Sequence, residues 1–213
     1  PKSGLYKNQI LMLDILSKND WERPIYFTGG SYKDSEYIWM KDYLQLDGLV
    51  YKLVPIKTPI NKENPYQMGR IEPNRMYDIV KKWEWGNSES PSIYHDPETR
   101  KNSISFRGNL HRLAEEFIKV GNFTKAKEII DLNFEKMPLD YFEYYSLSEP
   151  YISSYYKIGE VEKAQKLFKD LEKKYLDRIK YYSSSMINYE ESFPVSEFAE
   201  NIFTYTERYR RLI

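Results

Sequence analysis

Only histidine titrates near neutrality without help from its surroundings, so His95 and His111, the two histidines of the chain, are the first candidates for proton transfer or metal binding. They stand 16 positions apart, and no second histidine lies at helical spacing from either. A metal centre needs three or four converging ligands, so no metal site is expected. Carboxylates are plentiful, as in Glu115-Glu116, Asp34 with Glu36, and Glu190-Glu191. General acid–base work needs two such groups converging on one cleft with shifted pKa values, and sequence adjacency supplies no cleft. These pairs read as solvated faces. Gly29-Gly30 lacks the third glycine of a phosphate-binding loop, and no G-x-S-x-G elbow occurs. With no cysteine, thiolate zinc sites, disulfides and thiol nucleophiles are excluded. No catalytic residue and no cofactor is assigned.

Binding chemistry has better candidates. His111, Glu115 and Ile118 fall on one helical face, and the positions equivalent to them in a second repeat are Glu149, Ser153 and Tyr156. This inner face is the expected partner-binding surface for a protein or peptide, with intramolecular packing as its competing use. Trp83-Glu84-Trp85 places two indoles two residues apart. If extended, they share a face and form a candidate aromatic platform for a sugar or partner; if helical, they diverge into packing seams. Trp21 and Trp39 read as core or seam residues. Asn122-Phe123-Thr124 matches the N-glycosylation pattern in an expected interhelix turn.

The elements that position these residues follow from composition and periodicity. The chain has 213 residues with 32 basic and 32 acidic side chains. A neutral balance argues against nucleic acid as a partner, because phosphate neutralisation needs surplus lysine and arginine. No run of about 18 apolar residues is present, so no direct membrane insertion is expected. Pro1-Lys2-Ser3-Gly4 does not open a signal peptide. Aromatic residues make up 16%, with 21 tyrosines, which suits half-buried helix seams. The length fits one or two domains.

The expected fold class is α+β, a small α/β N-terminal layer over residues 1–92 followed by a helical-hairpin domain over residues 93–213. Residues 5–18 predict a helix, Ile25–Thr28 a strand ending at Gly29-Gly30, Tyr37–Leu44 a short helix and Leu49–Val54 a strand, the two strands pairing in parallel. Residues 57–74, with Pro59, Pro65, Gly69 and Pro73, predict a loop, and Asn74 a cap for a helix from Arg75 to about Trp83. Gly86–Ser92 is a second loop at the domain boundary.

From about Ser103 the period turns helical. Leu110, Leu113, Ala114 and Phe117 mark one helix, Gly121 ends it, Ala126 and Ile130 mark a second, and Pro138 closes it. The pattern recurs 38 positions later with Gly159 and Ala164. This is the spacing of tetratricopeptide-like hairpins, longer than their usual period of about 34, the surplus falling in Leu139–Ser148. The glycines permit the turn, and the alanines let helix axes approach closely. Two hairpins need covered ends. Leu176–Tyr189 and a final helix over about Ser196–Arg211 are expected to cap one end, and the α/β layer the other.

Several stretches resemble a known family. They are Asn8–Leu16, Asn19-Asp20-Trp21-Glu22-Arg23-Pro24-Ile25-Tyr26-Phe27, Tyr43–Lys57, Trp85-Gly86-Asn87, Tyr94-His95-Asp96, Glu98-Thr99-Arg100 and Arg107. Together they resemble the soluble C-terminal region of multi-pass membrane proteins of Bacteroidetes, formerly a domain of unknown function, related to transmembrane proteins with protein O-mannosyltransferase activity. The resemblance implies a periplasmic domain of an inner-membrane protein that begins after the last membrane span. It puts any catalytic acid in the membrane-embedded part, outside these residues, and makes that part a partner of the chain. Trp21–Pro24 reads as a structural corner, and Arg100 and Arg107 as packing residues paired with carboxylates between the halves.

The leading expectation is a non-catalytic accessory domain of a membrane-embedded glycosyltransferase-like protein, holding acceptor polypeptide or a partner protein. The alternative is a stand-alone protein–protein interaction module with tetratricopeptide-like repeats and no link to glycosyl transfer. A soluble hydrolase, the third class, requires a convergent polar cleft.

Overall fold

The computed structural model describes residues 4–28, 40–58, 68–188 and 195–213. The chain divides into two compact units, Pro1–Trp85 and Gly86–Ile213. The architecture is α+β: a three-stranded antiparallel sheet in the first unit and mostly helix elsewhere.

In the first unit, helix α1 (Lys7–Asn19) starts where the Gln9 side chain accepts from the Tyr6 N–H at 3.0 Å. It ends at Asp20 and Trp21, both with positive φ, and Asn19 Nδ2 braces the turn on the Arg23 carbonyl at 2.8 Å. The corner at Trp21–Pro24 is thus a backbone feature, and Trp21 is exposed rather than a core or seam residue. Strands β1 (Tyr26–Thr28), β2 (Leu44–Asp47) and β3 (Val50–Leu53) form a sheet in the order β1-β3-β2. Both pairings are antiparallel, which corrects the expected parallel pair.

The difference arises at β2. Its residues Leu-Gln-Leu-Asp have no β-branched member, and Leu44 belongs to this strand rather than to a helix. Met40–Tyr43 is a single 3-10 turn, while Tyr37–Trp39, Gly29 and Gly30 lie outside the described residues. Only Gly48 and Leu49 separate β2 from β3, and a connection that short permits only a hairpin. Gly48 has φ +73, and a Cβ there would stand 2.9 Å from Trp83 Cζ2. The buried Asp47 carboxylate accepts from Gln45 Nε2 at 2.9 Å and from Arg75 Nε at 2.9 Å. Helix α2 (Pro73–Val80) carries that arginine and is capped by Glu72, not Asn74. The Glu72 carboxylate accepts from the Arg75 N–H at 2.6 Å, and Pro73 occupies the first helical turn, where its missing N–H costs nothing.

The second unit is built on α3 (Pro97–Lys119), α4 (Phe123–Lys136), the single turn α5 (Leu139–Phe142), α6 (Glu149–Lys157), α7 (Val161–Asn188) and α8 (Val195–Leu212). Helix α3 starts six residues before the expected Ser103, because Asp96 caps it by accepting from the N–H groups of Glu98 and Thr99. Two hairpins, α3/α4 and α6/α7, repeat one another bond for bond at an offset of 38. The Asn122 N–H donates to Phe117 O and the Glu160 N–H to Tyr155 O, each at 2.9 Å. Gly121 and Gly159 sit at these turns with φ +73 and +83. Buried residues keep the same offset: Ala126, Ile129 and Asn133 on α4 correspond to Ala164, Leu167 and Leu171 on α7. Leu176 begins no separate segment, since α7 runs unbroken through it to Asn188. Helix α8 lies along α7 through a tyrosine seam, Tyr205 meeting Tyr175 at 6.1 Å and Tyr182 at 5.8 Å between ring centroids.

The residues that lengthen the repeat form α5 and the 3-10 turn Tyr145–Leu147. Arg107 of α3, fully buried, holds this connection in place. Its guanidinium donates to Met137 O and Glu143 O, each at 2.7 Å, and to Ser148 Oγ at 3.2 Å. Burial pushes the guanidinium down to about 10, so it stays charged at neutral pH. Arg107 therefore pairs with carbonyls rather than carboxylates. Arg100 does meet a carboxylate, Glu143, at 3.1 Å, and it does so inside this unit.

Candidate partner-binding face of the helical unit

The expected inner face lies where α3 meets α6. Helical spacing brings His111 and Glu115 of α3 onto Ser154 and Lys157 of α6, the next residues round that helix from Ser153 and Tyr156. Ser154 Oγ donates to Glu115 Oε1 at 2.6 Å and lies 3.2 Å from His111 Nε2. Lys157 Nζ donates to Glu115 Oε2 at 2.8 Å. The His111 ring meets the edge of Tyr151 at 4.9 Å. Burial drives the His111 pKa below its ordinary value, with Lys157 adding to the effect and Glu115 opposing it. Burial works upward on Glu115, but its bonds from Lys157 and Ser154 outweigh that and hold the carboxyl below the usual range.

This is not a nucleophilic triad. In such a triad the acid holds the imidazole and the imidazole takes the serine proton. Here the serine hydroxyl donates its hydrogen bond to the carboxylate, and Ser154 is fully buried. Glu149 is engaged as well, receiving the Tyr175 hydroxyl with Arg208 3.7 Å away. Ile118 is half-buried, while Ser153 and Tyr156 are exposed. The six residues thus divide: His111, Glu115 and Glu149 spend their polar groups inside the unit, and Ser153 and Tyr156 remain at the surface.

The two indoles lie in neither helix nor strand. Trp83 and Trp85 meet edge to face, with centroids 5.5 Å apart and planes at 66°. They are therefore not coplanar, and Trp83 covers Gly48. His95 Nε2 contacts the Ser88 carbonyl at 2.9 Å and its ring lies on Phe142 at 4.6 Å. Asn122 caps α4, its Oδ1 accepting from the Lys125 N–H at 3.2 Å. Among the described residues, no group of three or more histidine, aspartate or glutamate side chains could hold a metal ion, and no helix is long and apolar enough to cross a membrane.

A second surface was not anticipated from the sequence. A groove of about 710 Å³ opens between α4 and α7, floored by Phe134, Tyr155 and Leu167. Lys163 bridges it to Asp131, donating to both carboxylate oxygens at 2.7 and 2.6 Å. Lys174 pairs with Asp140. The signal was present in the register of α7: Lys163, Lys166, Lys173 and Lys174 share one face with Leu167.

Residues 1–75 match the family described as TMEM260-associated domain 2. The match covers 75 of 213 residues and falls inside the sheet-bearing unit, so α3 to α8 lie beyond it. Neither a curated protein nor a solved structure matches the chain.

Proposed function

We propose that this chain is a non-catalytic accessory domain of a TMEM260-like membrane protein, and that it holds acceptor polypeptide or a partner protein for a membrane-embedded glycosyltransferase-like part of the same parent. The observation that carries the reading is the match of residues 1–75 to a TMEM260-associated domain. The site geometry is compatible with it: in the serine–histidine–carboxylate cluster found among the described residues, Ser154 is buried and the polar groups of His111 and Glu115 are spent on contacts between α3 and α6. The two hairpins are tetratricopeptide-like, and surfaces of stacked hairpins suit protein binding. The proposal includes a periplasmic location for the domain, which the resemblance to Bacteroidetes membrane proteins supports.

The test is made in the host. The chain is epitope-tagged at its locus, and residues 86–213 are then deleted from the encoded polypeptide. The reading expects the tag on a larger polypeptide in the membrane fraction, and expects the deletion to reduce protein-linked glycans detected by lectin blot at unchanged abundance. A tag that fractionates on a free chain of 25.7 kDa, or an unaltered glycan profile, overturns it.

A second reading has one observation in its favour. The hairpins lie outside the matched residues and carry their own core, as a stand-alone interaction module with no link to glycosyl transfer requires. A partner recovered by crosslinking to Tyr156 or Ser153 variants, together with an unaltered glycan profile, supports that module instead.

A further inference from the structure

We propose that Arg107 and Asn133 hold an internal water between α3 and α4, a solvent-binding site inside the first hairpin at the point where the inserted connection is anchored. The water accepts from Arg107 Nε and donates to Asn133 Oδ1.

The polar groups at this point are unevenly satisfied. Both side chains are fully buried. Arg107 Nη1 donates to Glu143 O and Ser148 Oγ, and Nη2 to Met137 O, but Nε has no partner among the described residues. Asn133 is left with less: neither its Oδ1 nor its Nδ2 has a partner. A buried amide without hydrogen bonds costs about 1–3 kcal/mol in proteins, so native cores rarely leave one bare. Two other enclosed side-chain atoms lack partners, Arg100 Nε and Glu89 Oε2, but those side chains are 25% and 37% exposed and reach bulk solvent. Arg107 and Asn133 have no such outlet.

The repeat brings the two residues together. The bond from Arg107 to Met137 O, at 2.7 Å, carries the guanidinium to the end of α4. The Met137 N–H donates to Asn133 O at 3.0 Å, so Asn133 stands one turn back on the same face. The second hairpin supplies the comparison. At the offset of 38, Arg107, Asn133 and Met137 become Tyr145, Leu171 and Tyr175. Tyr145 meets Tyr175 at 6.1 Å between ring centroids, so the same pair of positions closes both seams. The second seam is filled by hydrocarbon at Leu171, whereas the first has an asparagine, which is smaller than leucine and polar. Polar walls, space beside them and two to four hydrogen-bonding partners are what an internal water requires. The chemistry selects water over other occupants. An apolar group would leave all three atoms unpaired, and an anion would take the donors while facing Asn133 Oδ1. Water serves donors and acceptor alike.

The test uses the full chain. In a wild-type crystal structure that orders internal solvent, density for a water should lie about 3 Å from both Arg107 Nε and Asn133 Oδ1. In solution, oxygen-17 magnetic relaxation dispersion counts waters held for longer than the tumbling time, and N133L should lose at least one of them relative to wild type. Leucine already occupies the equivalent position, 171, so N133L is compatible with folding, which circular dichroism verifies. A direct hydrogen bond between Arg107 Nε and the Asn133 amide, or side chains packed with no solvent density between them, overturns the proposal. So does a folded N133L variant that keeps the wild-type complement of long-lived waters. The wild-type density decides without N133L should that variant not fold.

Discussion

Arg107 and Glu143 meet through the backbone, not through their charges. The guanidinium donates to the Glu143 carbonyl at 2.7 Å, while the Glu143 carboxylate turns to Arg100 at 3.1 Å and Arg178 at 2.6 Å. One residue thus joins α3, the inserted connection and α7. The Arg107 fork satisfies the buried Met137 carbonyl and the part-buried Glu143 carbonyl, and a buried acceptor left without a donor costs about 1–3 kcal/mol. R107M should therefore lower unfolding stability by about 3 kcal/mol or more. R107K should fall between, because a single ammonium cannot reproduce a planar fork aimed at two carbonyls. Urea unfolding followed by circular dichroism measures both. A variant R107M within about 0.5 kcal/mol of wild type would show that the connection is held by other contacts.

The hairpins were legible because Gly121, Ala126, Gly159 and Ala164 each have a local reason to be where they are, and the offset of 38 repeats those reasons. Arg107 was legible as a packing residue but not as the anchor of the connection, because an arginine reads as the partner of a carboxylate and nothing local marks the carbonyls it will meet. Strand β2 was hidden because tertiary burial, not β-propensity, makes Leu44–Asp47 a strand; all four residues are buried. On the expected inner face, sequence periodicity found His111 and Glu115 but not that Ser154 and Lys157 would occupy them. Helical spacing fixes which residues share a face, not which neighbouring helix covers it.

The hinge glycines give a clean test of the repeat. Neither Gly121 nor Gly159 has an atom within 4 Å of where a Cβ would stand, so substitution there is strained only through φ. The left-handed conformation costs a residue with a side chain about 1–2 kcal/mol, and asparagine adopts it more readily than alanine. G121A and G159A should each cost about 1–2 kcal/mol in denaturant unfolding, with G121N recovering part of the loss. Alanine variants as stable as wild type would mean that these turns do not need the left-handed backbone.

Gly48 combines both penalties. Its φ is +73, and an added Cβ would approach Trp83 Cζ2 to 2.9 Å and Ile79 Cγ2 to 3.3 Å. G48A should therefore cost more than G121A, about 2–3 kcal/mol, and should move the tryptophan emission of Trp83, which G121A leaves alone. Replacing Trp83 with leucine in the G48A background should return part of the loss, since only the steric share involves the indole. Equal costs at Gly48 and Gly121 would place the whole effect in the backbone.

The α3–α6 contact predicts a pH dependence whose sign is fixed by burial. His111 faces Glu115 on its own helix and Lys157, Ser154 and Tyr151 on α6, and burial holds its pKa below the ordinary value despite the carboxylate. The unfolded chain takes up a proton at about pH 6.5, and the folded chain only at lower pH. Between those two values the unfolded state binds more protons, so stability falls as the pH falls through the window. Glu115 acts in a separate, more acidic one: its depressed pKa supplies stability present above about pH 4.3 and lost as pH drops further. Urea midpoints at pH 7.5 and 5.5 isolate the histidine. Wild type should lose more stability between them than H111Q, which carries no titrating ring, whereas E115Q should alter the dependence chiefly below pH 4.5. Identical losses in wild type and H111Q would mean that the ring titrates as freely in the folded chain as in the unfolded one, and that the α3–α6 seam is open to water.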